Sequence, residues 1–242
     1  MANTYTFSMT AQQIAESVIR KTGAYDEDEA VPPDRLADAL EALNVIAKDL
    51  AIEGPTLWCT EDVSFPGVIG QSQYNLSQIM GMPLPPQIMA AYIRTLNPDG
   101  SVPANGGNDV TLMVISRYDW ILLGSKFQPG VPNQLWYDPQ LTGGILTLYN
   151  VPNDSFHEIH VIVQRQIADV PALTSTMDFP QEAARMLIWQ LLDELALEYR
   201  LPPDERKEIN SKAVGFKQRF FDAQWTQENA SVFFTPSEKM AR

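Results

Sequence analysis

Ala184-Arg-Met-Leu-Ile-Trp-Gln-Leu-Leu-Asp-Glu-Leu-Ala-Leu-Glu-Tyr199 is the stretch on which the fold turns. Ala184, Leu187, Ile188, Leu191, Leu192, Leu195 and Tyr199 recur at steps of three and four, which predicts a helix with one broad apolar face. Asp178 and Pro180 mark its start, with Gln181 three residues after Asp178. Leu201-Pro-Pro203 separates it from a last helix carrying Ile209, Ala213, Phe216, Phe220 and Ala223. Upstream, from Leu57 to Ser175, the periodicity is that of strands. Gln87–Leu96, Val110–Ile115 and His157–Gln164 read as extended runs. Val63, Phe65 and Val68 suggest shorter ones. Gln134–Tyr137 and Ile145–Tyr149 flank Asp138-Pro and Gly143-Gly144 in a hairpin pattern. Ser116 caps a short helix to Gly124 that carries Tyr118, Ile121 and Leu122. Ten of the 13 glycines and most of the prolines fall in this region, as turn punctuation requires.

Further upstream the helical period returns. Thr10-Ala-Gln-Gln13 has the form of a capping box ahead of Ile14, Val18 and Ile19. An acidic loop, Asp26–Glu29, and Pro32-Pro33 separate this helix from a second. There Leu36, Leu40, Leu43, Ala47 and Leu50 make a narrow stripe, closed by Gly54-Pro55. Neither flanking helical segment is stable alone. The expected fold class is therefore α+β: an antiparallel helical bundle formed by the N- and C-terminal helices, with an inserted antiparallel β domain. The expected boundaries are 1–56 and 176–225 for the helical domain and 57–175 for the β domain. Residues 226–242, which lack periodicity, are expected to form an extended C-terminal tail.

Composition narrows the function classes. The chain has 242 residues, 45% of them apolar and 19% charged, enough for a hydrophobic core without disulfides or a structural metal. No 18-residue apolar run is present, so no membrane span is expected. The start, Met1–Ser8, lacks a basic n-region and an apolar h-region, so no signal peptide is expected. The single cysteine, Cys59, has no internal disulfide partner, which suits a cytosolic or redox-indifferent setting. The net charge is −13, spread as 10 acids against 4 bases in 1–56, 9 against 4 in 57–175, and 11 against 9 in 176–242. Such a surface grips neither nucleic acid nor an anionic membrane. It suits a soluble acidic protein, or a surface that DNA must pass without sticking.

Motifs for catalysis are missing from the sequence. There is no Gly-Lys-Ser/Thr phosphate loop, no Gly-x-Gly-x-x-Gly and no Gly-x-Ser-x-Gly. Cys59 reads as a small buried hydrophobe rather than a nucleophile. His157 and His160, three apart on a strand, point to opposite faces, which disfavours a shared metal site. Glu194 and Glu198 lie on one helix face as a solvated rim rather than a glycosidase pair. No catalytic residue, metal ligand or cofactor is assigned. Two features remain. Arg206, Lys207, Lys212, Lys217 and Arg219 cluster late, either as a solvated helix face or to meet an acidic partner or DNA. Phe233-Phe234 sits where no helix or strand is expected, and such a pair docks on a partner. Burying two Phe side chains is worth on the order of 3–6 kcal/mol, part of which ordering the stretch takes back. Trp136-Tyr137 and Phe220-Phe221 read as core or interface.

Three stretches, in order, carry a family resemblance: Asp34–Asn44 through Ile52-Glu-Gly-Pro55 and Leu57-Trp58; Pro132-Asn-Gln-Leu-Trp-Tyr-Asp-Pro139 with Gly144–Pro152; and Leu173-Thr, Met177-Asp-Phe-Pro180 and the helix to Glu198-Tyr199, with Pro202-Pro203 after it. The combination resembles the head-to-tail adaptor family of short-tailed bacteriophages, the tail accessory or head-completion factors related to tail tubular protein A. It covers roughly residues 10–220, and departs from the family at the Pro/Gly/Asn loop 97–109 and after 226. The resemblance implies a structural virion protein of the head-tail connector, assembled in the host cytoplasm. It implies a homo-oligomeric ring, usually of twelve copies, between the portal protein and the tail nozzle or hub. Double-stranded DNA passes through the ring without specific binding. Twelve copies at −13 carry about −156, which repels phosphate from any lumen they face. Two expectations follow. Arg206, Lys207, Lys212, Lys217, Arg219, Phe233 and Phe234 would bind the portal. Loops near 97–109 and 124–133, with Asn105, Asp109, Lys126, Trp136 and Tyr137, would face ring neighbours or the next tail component. The rival classes are a virion-associated cell-wall glycosidase and a receptor-binding tail β protein.

Overall fold

The computed structural model describes residues 8–26, 28–53, 56–81, 87–140 and 143–228. It is mixed α+β. Along the chain lie α1 (Ala11–Lys21), α2 (Pro33–Glu53), β1 (Thr60–Pro66), β2 (Gln73–Asn75), α3 (Leu76–Met80), β3 (Gln87–Thr95), β4 (Asn108–Thr111), β5 (Met113–Ile115), α4 (Arg117–Leu122), β6 (Gln134–Gln140), β7 (Gly143–Tyr149), β8 (His157–Gln164), α5 (Ala184–Glu198) and α6 (Pro203–Glu228). Two compact units result. One comprises the chain up to Trp58 together with the chain from Ile167 onward; the other is Cys59–Gln166. No helix among the described residues is long and apolar enough to cross a membrane.

In the helical unit α5 packs against α1, α2 and α6. Ile14, Ala15, Val18 and Ile19 of α1, Leu36, Ala39, Leu43, Ile46 and Leu50 of α2, and Met186, Leu187, Leu191, Leu192 and Leu195 of α5 share one core. The expected α2 stripe thus widens to include Ala39 and Ile46, while Leu40 is only half-buried. Thr10 caps α1 as a capping box, its hydroxyl accepting from Gln13 N and Gln13 Oε1 accepting from Thr10 N. The second boundary of the unit lies at Gln166/Ile167 rather than at 175/176. The run 167–175 has no periodicity to reveal this, but Ile167 and Val170 are buried and Val170 belongs to the helical core. Its backbone is tied down from α1 and α2: Ala11 N donates to Ser175 O, Gln12 N to Leu173 O, and Lys48 Nζ to Ile167 O. Asp178, expected at a helix start, instead accepts from Ala168 N at 3.1 Å. The helix is entered through a 3₁₀ turn, Gln181–Ala183, with no side-chain cap. α6 runs on to Glu228, so the first three residues of the expected aperiodic stretch are helical. Gly54-Pro55 and the remainder of that stretch, Phe233-Phe234 included, lie outside the described residues.

The β unit contains two four-stranded sheets, ordered β1-β8-β3-β4 and β2-β7-β6-β5. Phe65, Ile93, Ile159, Val161 and Val163 of the first meet Tyr74, Leu135, Leu146 and Leu148 of the second in one core. Two expectations are corrected here. The run 110–115 is not one strand. Its centre, Leu112, is 1% exposed and donates its N–H to Ala91 O, so β4 stays with the first sheet and β5 crosses to the second. Nor is every pair antiparallel: β5 and β6 run parallel, with Met113 opposite Gln134. The connection through α4 and residues 123–133 supplies the crossover that a parallel pair requires. The β6–β7 hairpin forms, but Asp138-Pro139 lies within β6, opposite Ile145 and Gly144, rather than in the turn.

Candidate functional site

An α-helix turns about 100° per residue, so the late cations of α6 do not share one face. Arg206 and Lys217, three turns apart, look one way. Lys217 forms an ion pair with Glu53 of α2, and Arg206 is half-buried with its Nε unpartnered among the described residues. Lys207 is exposed and pairs with Asp204 at 3.5 Å. Lys212 and Arg219, two turns apart, lie on the side of α6 that meets α5.

There they join two residues that the sequence reading did not single out. Arg185 holds its guanidinium 4.4 Å from the Phe216 ring centre, and Arg219 lies 5.6 Å from the same ring. Trp189 stacks on Phe216 at 6.1 Å, and Lys212 Nζ sits 4.9 Å from the Trp189 ring while binding Glu208 at 2.6 Å. Arg185 and Trp189 are one turn apart on α5. Lys212, Phe216 and Arg219 are one turn apart on α6. Each cation thereby stacks on an aromatic face of this surface.

A cleft of about 650 Å³ opens beside this array, lined by Trp58, Arg185, Phe216, Arg219, Phe220 and Gln224 among others. Trp58 is fixed by a tilted contact with Phe179 at 5.5 Å and an edge contact with Phe220 at 5.6 Å, and donates its indole N–H to Asp178 O. Gln224, only 8% exposed, also lines it. Glu182 lines the cleft beside Arg185 and Arg219, with no ion pair to either among the described residues. A cleft with aromatic walls, two guanidiniums, the Glu182 carboxylate and a carboxamide suits an aromatic ligand that carries polar groups.

The β-unit candidates are dispersed. Asn105 is exposed and its side chain accepts from Gly107 N. Asp109 is held by Arg94 through two hydrogen bonds of 2.8 Å, which keep its carboxyl below the usual carboxylate range. Tyr137 packs against the β core, and burial raises its hydroxyl pKa. Trp136 and Lys126 do come together around α4. Trp120 stacks on Trp136 at 5.7 Å, Lys126 Nζ sits 5.9 Å from the Trp120 ring, and Arg117 lies 5.9 Å from the Trp136 ring. Lys126 also caps α4, donating to Ile121 O and Leu123 O. α4 itself buries no residue: Tyr118, Ile121, Leu122 and the following Phe127, which is 73% exposed, form an apolar surface.

A third grouping spans the polar face of the first sheet. His160 is buried, stacked on Tyr92 at 4.4 Å, with Nδ1 3.2 Å from Asp62 and Nε2 3.3 Å from Glu158. Tyr92 donates its hydroxyl to Asp62, and Ser64 donates to Glu158. Both ring nitrogens are taken by carboxylates. No group of three His, Cys, Asp or Glu among the described residues is arranged to hold a metal ion.

Compared with known proteins, the chain matches no family model and no curated protein.

Proposed function

We propose that this protein is a structural virion protein, the head-to-tail adaptor subunit that forms a ring between the portal and the tail nozzle around a channel for genome passage. One observation carries the reading: each unit presents a surface of different chemistry. The helical unit offers the cation–aromatic face of Arg185, Trp189, Lys212, Phe216 and Arg219. The β unit offers the apolar surface of Tyr118, Ile121, Leu122 and Phe127. A head-to-tail ring needs two unlike patches rather than one self-complementary patch, and an adaptor needs a different partner on either side. On this reading α1, α2, α5 and α6 act as an antiparallel bundle that engages the portal with α6 and Phe233-Phe234. The α4 surface then meets the ring neighbour or the tail hub. The net charge of −13 keeps double-stranded DNA from adhering as it passes.

Native mass spectrometry of the chain, alone and mixed with a short-tailed phage portal protein, tests the proposal. The expected result is a ring of about twelve copies on the portal, lost on deletion of 229–242. No complex with the portal would overturn it and send attention to a peptidoglycan-hydrolysis assay.

A further inference from the structure

We infer that the exposed apolar surface around α4 is an interface between copies of this chain, seated in the groove that α2 and residues 169–171 form on the helical unit of a second copy. The contact rests on the adaptor reading only in requiring that copies assemble head to tail.

The two surfaces match in polarity, charge and size. Tyr118, Ile121, Leu122 and Phe127 stand out from the β unit as exposed apolar side chains. On the helical unit Ala37, Leu40, Val45, Val170 and Pro171 give an open groove of about 540 Å³ its apolar lining. Val45 is exposed and Leu40 only half-buried, so apolar surface is left open along it. The charges are opposite. The β unit holds four Lys or Arg residues. Arg94 pairs with Asp109 and Arg165 with Glu61. The other two, Arg117 and Lys126, flank the α4 surface and form no ion pair among the described residues. The one acid of α4, Asp119, accepts from the Ser116 hydroxyl. The groove carries Glu41, which has no ion pair among the described residues, and a Lys48–Asp169 pair that cancels itself. A cationic rim around the projecting surface thus meets an acidic groove, in a chain whose net charge of −13 otherwise makes copies repel. Size decides the occupant. Four side chains cover well below the roughly 800 Å² per partner of a stable interface, so one such contact holds no lasting pair. Surface and groove are different patches, so copies can repeat the contact around a ring in which each is held twice. A lone foreign partner gains no such repetition.

The test replaces Phe127 by photoreactive p-benzoylphenylalanine in the full chain and mixes it with an isotopically labelled parent chain. The mixture is irradiated both concentrated and bound to the portal, and peptide mass spectrometry separates contacts between copies from those within one. Cross-links from position 127 to residues 40–45 of the labelled copy are expected. Val45→Glu in the labelled chain, at an exposed position, should cut their yield about tenfold, as for loss of an anchoring contact. Glu41→Arg should cut it several-fold. Asp49→Lys, exposed on α2 outside the groove, should leave it unchanged. Cross-links confined to one copy, cross-links that land outside the groove, or yields undiminished by both groove variants would overturn the inference. So would no cross-link in either sample. Groove cross-links without portal binding would sink the adaptor reading alone, and portal binding without them would sink this interface alone.

Discussion

Arg94 on β3 and Asp109 on β4 are joined by two parallel hydrogen bonds, Nε to Oδ1 and Nη2 to Oδ2, both 2.8 Å. The pair sits directly across the ladder, where Arg94 is the registered partner of Asp109. This bidentate bond is the first cause of the lowered Asp109 pKa. A carboxyl whose folded-state pKa is depressed stabilises the fold above its unfolded value, and loses that contribution as pH falls through the folded value. Asp109→Asn should therefore lower the denaturant midpoint at neutral pH. The gap between variant and parent should close as pH drops below the ordinary value of 3.8. Urea titrations across pH 7 to about 2.5 check this; a gap that widens at low pH would contradict it.

Thr10→Ala should cost the helical unit about 1 kcal/mol, the usual worth of an N-cap hydroxyl. α1 has only 11 residues, too few to hold a helix without cap and packing. Chemical denaturation monitored at 222 nm reads the change.

Asn44 clamps Val170 from both sides, its Nδ2 donating to the carbonyl at 3.2 Å and its Oδ1 accepting from the N–H at 2.8 Å. Asn44→Ala strands two backbone groups at a buried residue. A loss of about 1–3 kcal/mol is expected, together with faster exchange of the Val170 amide. An unchanged Val170 exchange rate would show that the clamp is dispensable.

Trp136→Ala removes the ring on which α4 rests. Because α4 buries none of its residues, its amides should exchange about 2–10-fold faster, the equivalent of one lost aromatic pair. The Trp120 and Leu123 amides, bonded to Ser116 and Asp119 carbonyls, are the reporters.

Elements with a clean period were legible in the sequence. The α2 stripe, the Thr10 capping box, β3, β8 and the β6–β7 hairpin each repeat a local rule that tertiary context left intact. The misread parts obey non-local rules. Residues 110–115 are apolar apart from Thr111, and nothing within the run says that Leu112 turns inward while its neighbours pair with different sheets. Residues 167–175 owe their place to hydrogen bonds from Ala11, Gln12, Asn44 and Lys48. The candidate site was half visible. Lys212 and Arg219 stood out by charge, but Arg185 and Trp189 gain meaning only once α5 lies beside α6. The His160 group draws on positions 62, 92, 158 and 160, and only the strand register brings them together.

The helical unit is split in sequence, and that fixes an order of events at the ribosome. Cys59–Gln166 is a continuous segment whose core partners have all been synthesised before Ile167 emerges. α1 and α2, although made first, leave their apolar stripes uncovered until α5 is translated. The later-encoded β unit is thus the first able to complete its fold, reversing the usual N-terminal-first sequence of domain folding. For that interval Ile14, Val18, Leu36 and Leu43 are exposed on the nascent chain. A pause in translation between Gln166 and Tyr199 would lengthen the window in which chaperones engage them.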